Sequence, residues 1–358
     1  MEESYLIGFD DLVEITAAIF CGSGLTREDA LMLSRSLASA DMRGVKSHGV
    51  VRVPTYLGQF ANGQFNAKAE LETIKETLFS LTLDGHNGSG QVISQKAVDK
   101  VREKAEKNGI AVAAVRKSNH FGASAYWAEL LAGDDMIGFA ASNTIAIVSA
   151  PTGIERSIGS NPFAFCIPAK KYAPINLDIS GAVMAQGKIH EYIRLGKPLP
   201  ADAMLGPNGE ETTDPTAFDP SEYILRPFSA HKGFGLSVVM EMLTSNLSGS
   251  AFHKDAANTE GAMPENCHIF GAMRIDAFDD LDAFKERVDT YIEYLHSIPA
   301  KPGFPPVYYP GEIEAAYERG SREDGILLAA KVLDQLLELA KSCDIDLSKL
   351  NYKRAEAD

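Results

Sequence analysis

Apolar residues fall at helical spacing early in the chain. Thr26 followed by Asp29 reads as a capping box, and Ala30, Leu33, Leu37 and Ala40 then share one face until Gly44 stops the helix. Beyond Gly44, Pro54 suits the first turn of a new helix, where its missing N–H costs nothing, so residues 47–52 lead into that helix. Residues 72–84 alternate as strands do, residues 84–88 (Asp-Gly-His-Asn-Gly) make a turn, and a helix over 91–107 ends at Gly109. A short apolar strand at 110–115, a polar loop at 118–122, a helix at 123–132 and a strand at 136–141 follow. From Pro151 to about Pro227 the chain is rich in Gly and Pro, with strand-like pieces at 163–168 and 175–179. Helical patterns return at 235–247, at 281–295 and from Glu312 onward, and the tail after Leu350 is expected to fray. The rhythm is α/β.

Composition narrows the class. At 358 residues the chain exceeds the size at which one core keeps growing, so more than one lobe is expected. Hydrophobic residues at 45% and charged residues at 23% are the balance of a globular protein. The net charge of −15, from 34 Lys+Arg against 49 Asp+Glu, opposes contact with a phosphate backbone, so nucleic acid is not an expected partner. Cys21, Cys166, Cys267 and Cys343 lie far apart without metal spacing and read as reduced thiols. With no signal-like N-terminus and no long uninterrupted apolar run, the expectation is a cytoplasmic protein without a membrane partner.

Two segments carry chemistry. In Ser47-His48-Gly49-Val50-Val51-Arg52, a His and an Arg stand four apart. Reducing a 2-oxo acid needs a proton donor for the carbonyl oxygen and a cation for the neighbouring carboxylate. Histidine exchanges a proton near neutrality, and the planar guanidinium binds both carboxylate oxygens. Taken alone, the same spacing equally describes a capping His beside a surface Arg. His120, in the loop Ser118-Asn119-His120-Phe121-Gly122, is a second acid–base candidate or a loop His satisfying backbone groups. The G-x-G-x-x-G dinucleotide fingerprint is missing, and the nearest approach is His231-Lys232-Gly233-Phe234-Gly235 ahead of an apolar helix, where a Lys and helix N–H groups could hold a phosphate.

Together these segments resemble one family, the malate/L-lactate dehydrogenase-like oxidoreductases, which includes ureidoglycolate, L-sulfolactate and diketogulonate enzymes and piperideine-2-carboxylate reductase. The resemblance rests on residues 40–52, 118–122, 159–165 (Gly-Ser-Asn-Pro-Phe-Ala-Phe), Asp178 with 185–188, 212–215, 231–236 and 307–312, in the family's order over nearly the whole chain. It implies a large mixed, non-Rossmann sheet with flanking helices plus a helical N-/C-terminal domain, and a homodimer with its site near the subunit interface. Residues 1–70 would contribute to the substrate site, 71–280 would bind the cofactor, and 281–358 would pack back on the N-terminal part.

By motif position, His48 resembles the family's proton donor, Arg52 its substrate-carboxylate clamp and His120 a second active-site histidine. Ser47 and Ser160 are placed at the substrate by the same resemblance. His120, Thr144, Ser160, Asp178, Ile179 and Ser180 are placed at the cofactor, as are Lys232, Gly233, Pro310, Gly311 and Glu312. The implied cofactor is NAD, with NADP as the alternative, and the implied partner a small anionic 2-oxo or 2-hydroxy acid. Within the family, ureidoglycolate dehydrogenase and cyclic imino-acid reductase are alternative activities. Outside it stand a metal-dependent hydrolase using His48 and His120, and an inactive small-molecule-binding protein. The chain departs from the family at Ser160, where many relatives have Thr; at Asp178-Ile179-Ser180-Gly181; and at Ser229-Ala230, where relatives commonly have two glycines.

Overall fold

The computed structural model describes residues 3–184, 186–206, 208–216, 224–250, 265–343 and 345–355; of the sequence motifs, Ala185 lies outside them. Strands are numbered β1 to β15 along the chain. The largest sheet has the spatial order β2 (Glu72–Glu76), β3 (Ser80–Asp84), β4 (Ile110–Ser118), β13 (Asn266–Arg274), β5 (Met136–Ser142), β8 (Phe163–Ile167), β9 (Ile175–Ile179). β3 and β4 run parallel, and the remaining neighbours are antiparallel. The parallel pair follows from the connection: the Gly90–Asn108 helix joins β3 to β4, and only a crossover of that length returns a strand in the same direction.

Helices cover both faces of this sheet. Val98 and Val101 of Gly90–Asn108, with Trp127 and Leu131 of Ser124–Ala132, pack on Leu83, Ala111, Ala113 and Phe270. On the opposite face Met240 and Leu243 pack against Ala141, Phe163 and Ile269. β13 lies at the middle with most of its residues buried, so its sequence is a continuous apolar run interrupted by His268, without alternation. That run was not legible as a strand. The fold is therefore mixed α/β.

A second core joins the two ends of the chain. Leu12, Ile15 and Phe20 of Phe9–Cys21, Leu33 and Leu37 of Arg27–Met42, and Tyr56 of Val53–Ala61 pack with Ile326, Leu333 and Leu336. Here the structure corrects two sequence expectations. The helix from Glu312 stops at Asp324, because Gly325 (φ 106°) turns the chain and the apolar run of β14 (Ile326–Ala329) pairs antiparallel with β1 (Ser4–Ile7). The tail is not frayed where it is described: β15 (Tyr352–Arg354) pairs with the other edge of β1. The Gly/Pro-rich stretch supplies a smaller sheet, β11 (Glu211–Thr212), β10 (Met204–Leu205), β12 (Ile224–Leu225), β6 (Val148–Ser149), β7 (Arg156–Ile158) in spatial order, with its own core around Val148, Ile189 and Met204. The helix expected from Gly235 starts earlier, at His231, and runs to Glu241, where a π-helical turn continues it.

Candidate active site

The turn carrying His48 and Arg52 is held from beneath by Asp41. This aspartate sits buried in the last turn of Arg27–Met42, and its Oδ2 accepts the Val50 N–H at 2.6 Å. Gly49 lies so close that a Cβ there would stand 2.1 Å from Asp41 Oδ2, so only a hydrogen fits. Lys46 donates to the carbonyls of Asp41 (3.0 Å) and Leu327 (2.7 Å), tying the turn to β14. Between these anchors the chain makes 3₁₀ turns at Lys46–His48 and Val50–Arg52, and Pro54 then opens the Val53–Ala61 helix as its spacing predicts. Ser47 Oγ lies 2.9 Å from His48 Nδ1, and the Ser47 carbonyl accepts Arg52 Nε at 2.7 Å. Arg52 is thus fixed through Nε, and its terminal nitrogens have no partner among the described residues.

His120 comes from the opposite side, in the loop after β4. Its ring stacks on His48 with centroids 5.6 Å apart and planes 21° apart. Its Nδ1 is 2.7 Å from the Tyr56 hydroxyl, which in turn receives Gln91 Nε2 at 3.0 Å. Burial holds the His48 ring down to about 4, with the Arg52 charge adding to the effect. Burial lowers His120 as well, followed by the nearby His48, Arg52 and His268. Both rings are therefore neutral near neutral pH.

A third histidine braces the loops. His268, fully buried on β13, lies 2.9 Å from Ser142 Oγ through Nδ1 and 2.8 Å from Ser118 Oγ through Nε2, and stacks on Phe121. Because Ser142 Oγ donates to the Asn143 carbonyl, it accepts from His268 Nδ1–H, and Nε2 accepts from Ser118. The ends of β4 and β5, which lead to His120 and Thr144, are thereby locked together. Thr144 and Ser160 meet next to this brace: their hydroxyls are 3.2 Å apart and the Ser160 N–H donates to Thr144 Oγ1. Beneath them buried Glu241 accepts from Asn161 (2.8 Å), Ser245 (2.9 Å) and Asn143 (3.3 Å), joining both loops to the His231–Glu241 helix.

A cavity of about 320 Å³ is lined by Val45 and Ala123, each three residues along the chain from one of the two histidines; His48, Arg52 and His120 do not line it. Asp178, Pro310 and Gly311 line it, with Arg43, Asn176 and Glu314. Asp178 sits at the start of the Ser124–Ala132 helix, where it accepts the Ala125 N–H at 3.0 Å; loss of solvent raises its carboxyl to about 6, although one side of the residue stays open. Arg43 pairs with Glu129 and, at 3.8 Å, with Glu318. Asn176 donates to Glu129 at 2.9 Å, while its buried Oδ1 has no partner among the described residues.

The remaining sequence candidates divide. Ile179 pairs with Phe163 at the end of β9, Ser180 Oγ accepts the Ala182 N–H, and the Gly181 N–H donates to the Ser160 carbonyl, so this segment lies beside Ser160. Lys232 is exposed in the first turn of the His231–Glu241 helix, and Gly233 is buried against the Phe228 carbonyl. Glu312 does not line the cavity; it accepts the Tyr309 N–H and bonds His296 at 3.0 Å. Asp41, Tyr56, Gln91, Glu241 and His268 escaped the sequence reading. Tyr56 alone carried a signal, standing one helical turn after Arg52 on the same face.

Two neutral imidazoles stacked beside a guanidinium have the chemistry that proton transfer to a small anion requires. Comparison with known proteins supplies the rest. The family model described as malate/L-lactate dehydrogenase matches residues 7–337. The malate dehydrogenase of Pyrococcus abyssi is 33% identical over 348 residues, covering 95% of this chain and 96% of that protein. The L-sulfolactate dehydrogenase of Methanothermobacter thermautotrophicus is 31% identical over 342 residues, covering 94% and 97%. Among solved structures, malate dehydrogenase from Entamoeba histolytica superposes with a TM-score of 0.90 at 29% identity, covering 96% of this chain and 99% of that one. The chain belongs to the malate/L-lactate dehydrogenase family and is an oxidoreductase acting on a CH–OH group. That membership replaces the metal-hydrolase reading.

Proposed function

We propose that the protein interconverts a small 2-hydroxy acid and its 2-oxo acid with a nicotinamide cofactor, His48 moving the proton and Arg52 holding the carboxylate. The observation that carries this reading is the arrangement of His48, His120 and Arg52: two stacked rings, and a guanidinium anchored by Nε whose terminal nitrogens have no partner among the described residues. The cofactor supplies or accepts a hydride at C2. The chain's residues do the rest. Arg52 binds the substrate carboxylate through two parallel hydrogen bonds and so orients C2. Burial is the larger cause that holds His48 down and Arg52 the smaller; pairing the anion with Arg52 cancels the second, so the ring takes a proton more readily once substrate is bound. His48 then delivers that proton to the C2 oxygen; in the oxidative direction neutral His48 takes it back.

The cavity beside Asp178 fits the ribose end of a dinucleotide. Asn176 Oδ1 and the Asp178 carboxyl are acceptors suited to ribose hydroxyls. A 2′-phosphate would instead meet Asp178 and Glu314, while Arg43 is already paired with Glu129 and Glu318. NAD is therefore the proposed cofactor rather than NADP. We assign Ser47, Thr144, Ser160, Ile179, Ser180, Lys232, Gly233, Pro310 and Gly311 to the walls of the substrate and cofactor sites, and Glu312 to positioning of the 309–312 turn. Leu236, Val239, Met242 and Leu247 expose an apolar stripe along residues 231–247, and a second copy of the chain would cover it in a homodimer. Among the described residues no helix is long and apolar enough to cross a membrane, and the proposed location is the cytoplasm.

The test is NADH and NADPH oxidation measured in parallel against a panel of 2-oxo acids: pyruvate, oxaloacetate, sulfopyruvate, oxalurate and a cyclic imino acid. Turnover of a 2-oxo acid with NADH preferred is the expected outcome. No oxidation of either cofactor with any member would refute the assignment, and NADPH preference would refute the reading of the cavity.

A further inference from the structure

We propose that Tyr56, oriented by Gln91, holds His120 as the neutral tautomer with its proton on Nε2, which assigns His120 to polarise the substrate's C2 oxygen and leaves the mobile proton to His48. The direction of each hydrogen bond fixes the tautomer. Ser89 Oγ donates to Gln91 Oε1 at 3.0 Å, so the amide turns its NH₂ toward Tyr56. A phenolic oxygen carries one proton. With Gln91 donating to that oxygen at 3.0 Å, the Tyr56 proton is left for His120 Nδ1, 2.7 Å away. The Gly122 N–H also points at Nδ1, at 3.4 Å, and a backbone N–H can only donate. Nδ1 is therefore an acceptor from two sides, and the neutral ring keeps its proton on Nε2.

The surroundings leave little room for another arrangement. Ser89, Gln91 and Tyr56 are buried. A Cβ on Gly90 would come within 2.2 Å of the Asn119 and His120 carbonyl oxygens, so the helix bearing Gln91 and the loop bearing His120 are in direct backbone contact. Burial pushes the Tyr56 hydroxyl up to about 12, so it stays protonated. His48 differs, because its Nδ1 faces the Ser47 hydroxyl, which can donate or accept as the ring changes charge. One histidine is thus built to stay neutral and the other to titrate. Tyr56 is a positioning residue acting through His120.

This division of roles rests on the proposed dehydrogenase reaction, but the tautomer can be tested without substrate. In protein carrying ¹⁵N-histidine, with the His120 signals assigned by their loss in His120→Gln, Nδ1 should give a pyridine-type and Nε2 a pyrrole-type resonance at neutral pH. Tyr56→Phe removes the donor and should shift the Nδ1 resonance, lowering kcat by about 10- to 100-fold, the usual cost of losing a group that fixes a ring's tautomer, with a smaller change in KM. Gln91→Glu reverses the chain: the carboxylate takes the Tyr56 proton, and His120 should move its proton to Nδ1 with a comparable loss of kcat. A protonated Nδ1 in the native protein, or ring resonances unmoved in both variants, would overturn the proposal. If the resonances behave as expected and no 2-oxo acid is turned over, the tautomer stands and the reaction assignment fails.

Discussion

Replacing Gly49 by Ala tests how the proton-transfer turn is held. The backbone at Gly49 (φ −86°, ψ −157°) is open to any residue, so the cost is purely steric. The new methyl would lie 2.1 Å from Asp41 Oδ2 and 2.2 Å from Cγ, and Asp41 is buried, so one of the two must move. Overpacking of this kind costs about 1–3 kcal/mol. Loosening the bond from Val50 N–H to a buried carboxylate adds about 1.5–3 kcal/mol, giving about 2.5–6 kcal/mol in all. Urea unfolding reads this as a lower midpoint at unchanged slope, and kcat/KM should fall because His48 is the next residue. The decisive measurement is a double-mutant cycle with Asp41→Ala. That change leaves the Val50 N–H unpaired but removes the atoms the methyl strikes, so Gly49→Ala in its background should cost less than about 1 kcal/mol, a coupling of at least about 1.5 kcal/mol. Equal cost in both backgrounds would refute the reasoning and place the strain elsewhere.

His48→Ala should lower kcat by about 10²–10⁴-fold with substrate and cofactor saturating; if turnover survives, the proton passes to His120. Arg52→Lys should raise KM far more than it lowers kcat, since a point charge replaces a two-pronged donor. Ala230→Gly should stabilise by about 1 kcal/mol in urea, because Ala230 holds φ 50° and ψ −115°, a conformation that favours glycine. His268, pulled down to about 3 by burial, makes stability depend on pH. The unfolded ring takes a proton below its ordinary pKa of about 6.5 and the native ring does not, so this contribution is complete above that pH. It is lost at about 1.4 kcal/mol per pH unit on acidification, and His268→Asn should flatten the curve of urea midpoint against pH by up to that slope.

Elements with a local signature were legible. The helix that opens at Thr26 is capped there, its hydroxyl accepting the Asp29 N–H at 3.1 Å, and Pro54 lies in the first turn of its helix, as their spacing implies. Elements whose form depends on a distant partner were not. β13 is strand because β4 and β5 flank it, and β15 is ordered because β1 offers an unpaired edge. Neither condition is written in the residues themselves. The two left-handed residues at 229–230 are an intermediate case: the departure from glycine is visible, the φ that makes it costly is not.

The site divides in the same way, and the division has a chemical reason. His48 and Arg52 are readable because both groups proposed to meet the substrate lie on adjacent turns. What sets their properties lies partly in the same stretch of chain and partly far from it. Asp41 fixes the turn through Val50, Lys46 ties it to Leu327, and Tyr56 and Gln91 reach His120 from other helices. Tyr56 and Gln91 decide which nitrogen of His120 carries a proton. His48 needs the opposite treatment, a flexible hydroxyl at Nδ1 and a nearby cation that a bound carboxylate can neutralise, and both of those are local. The residue that must change protonation state is served by its own turn, where substrate binding is felt directly. The residue that must not change is pinned from across the fold, by groups the substrate does not move.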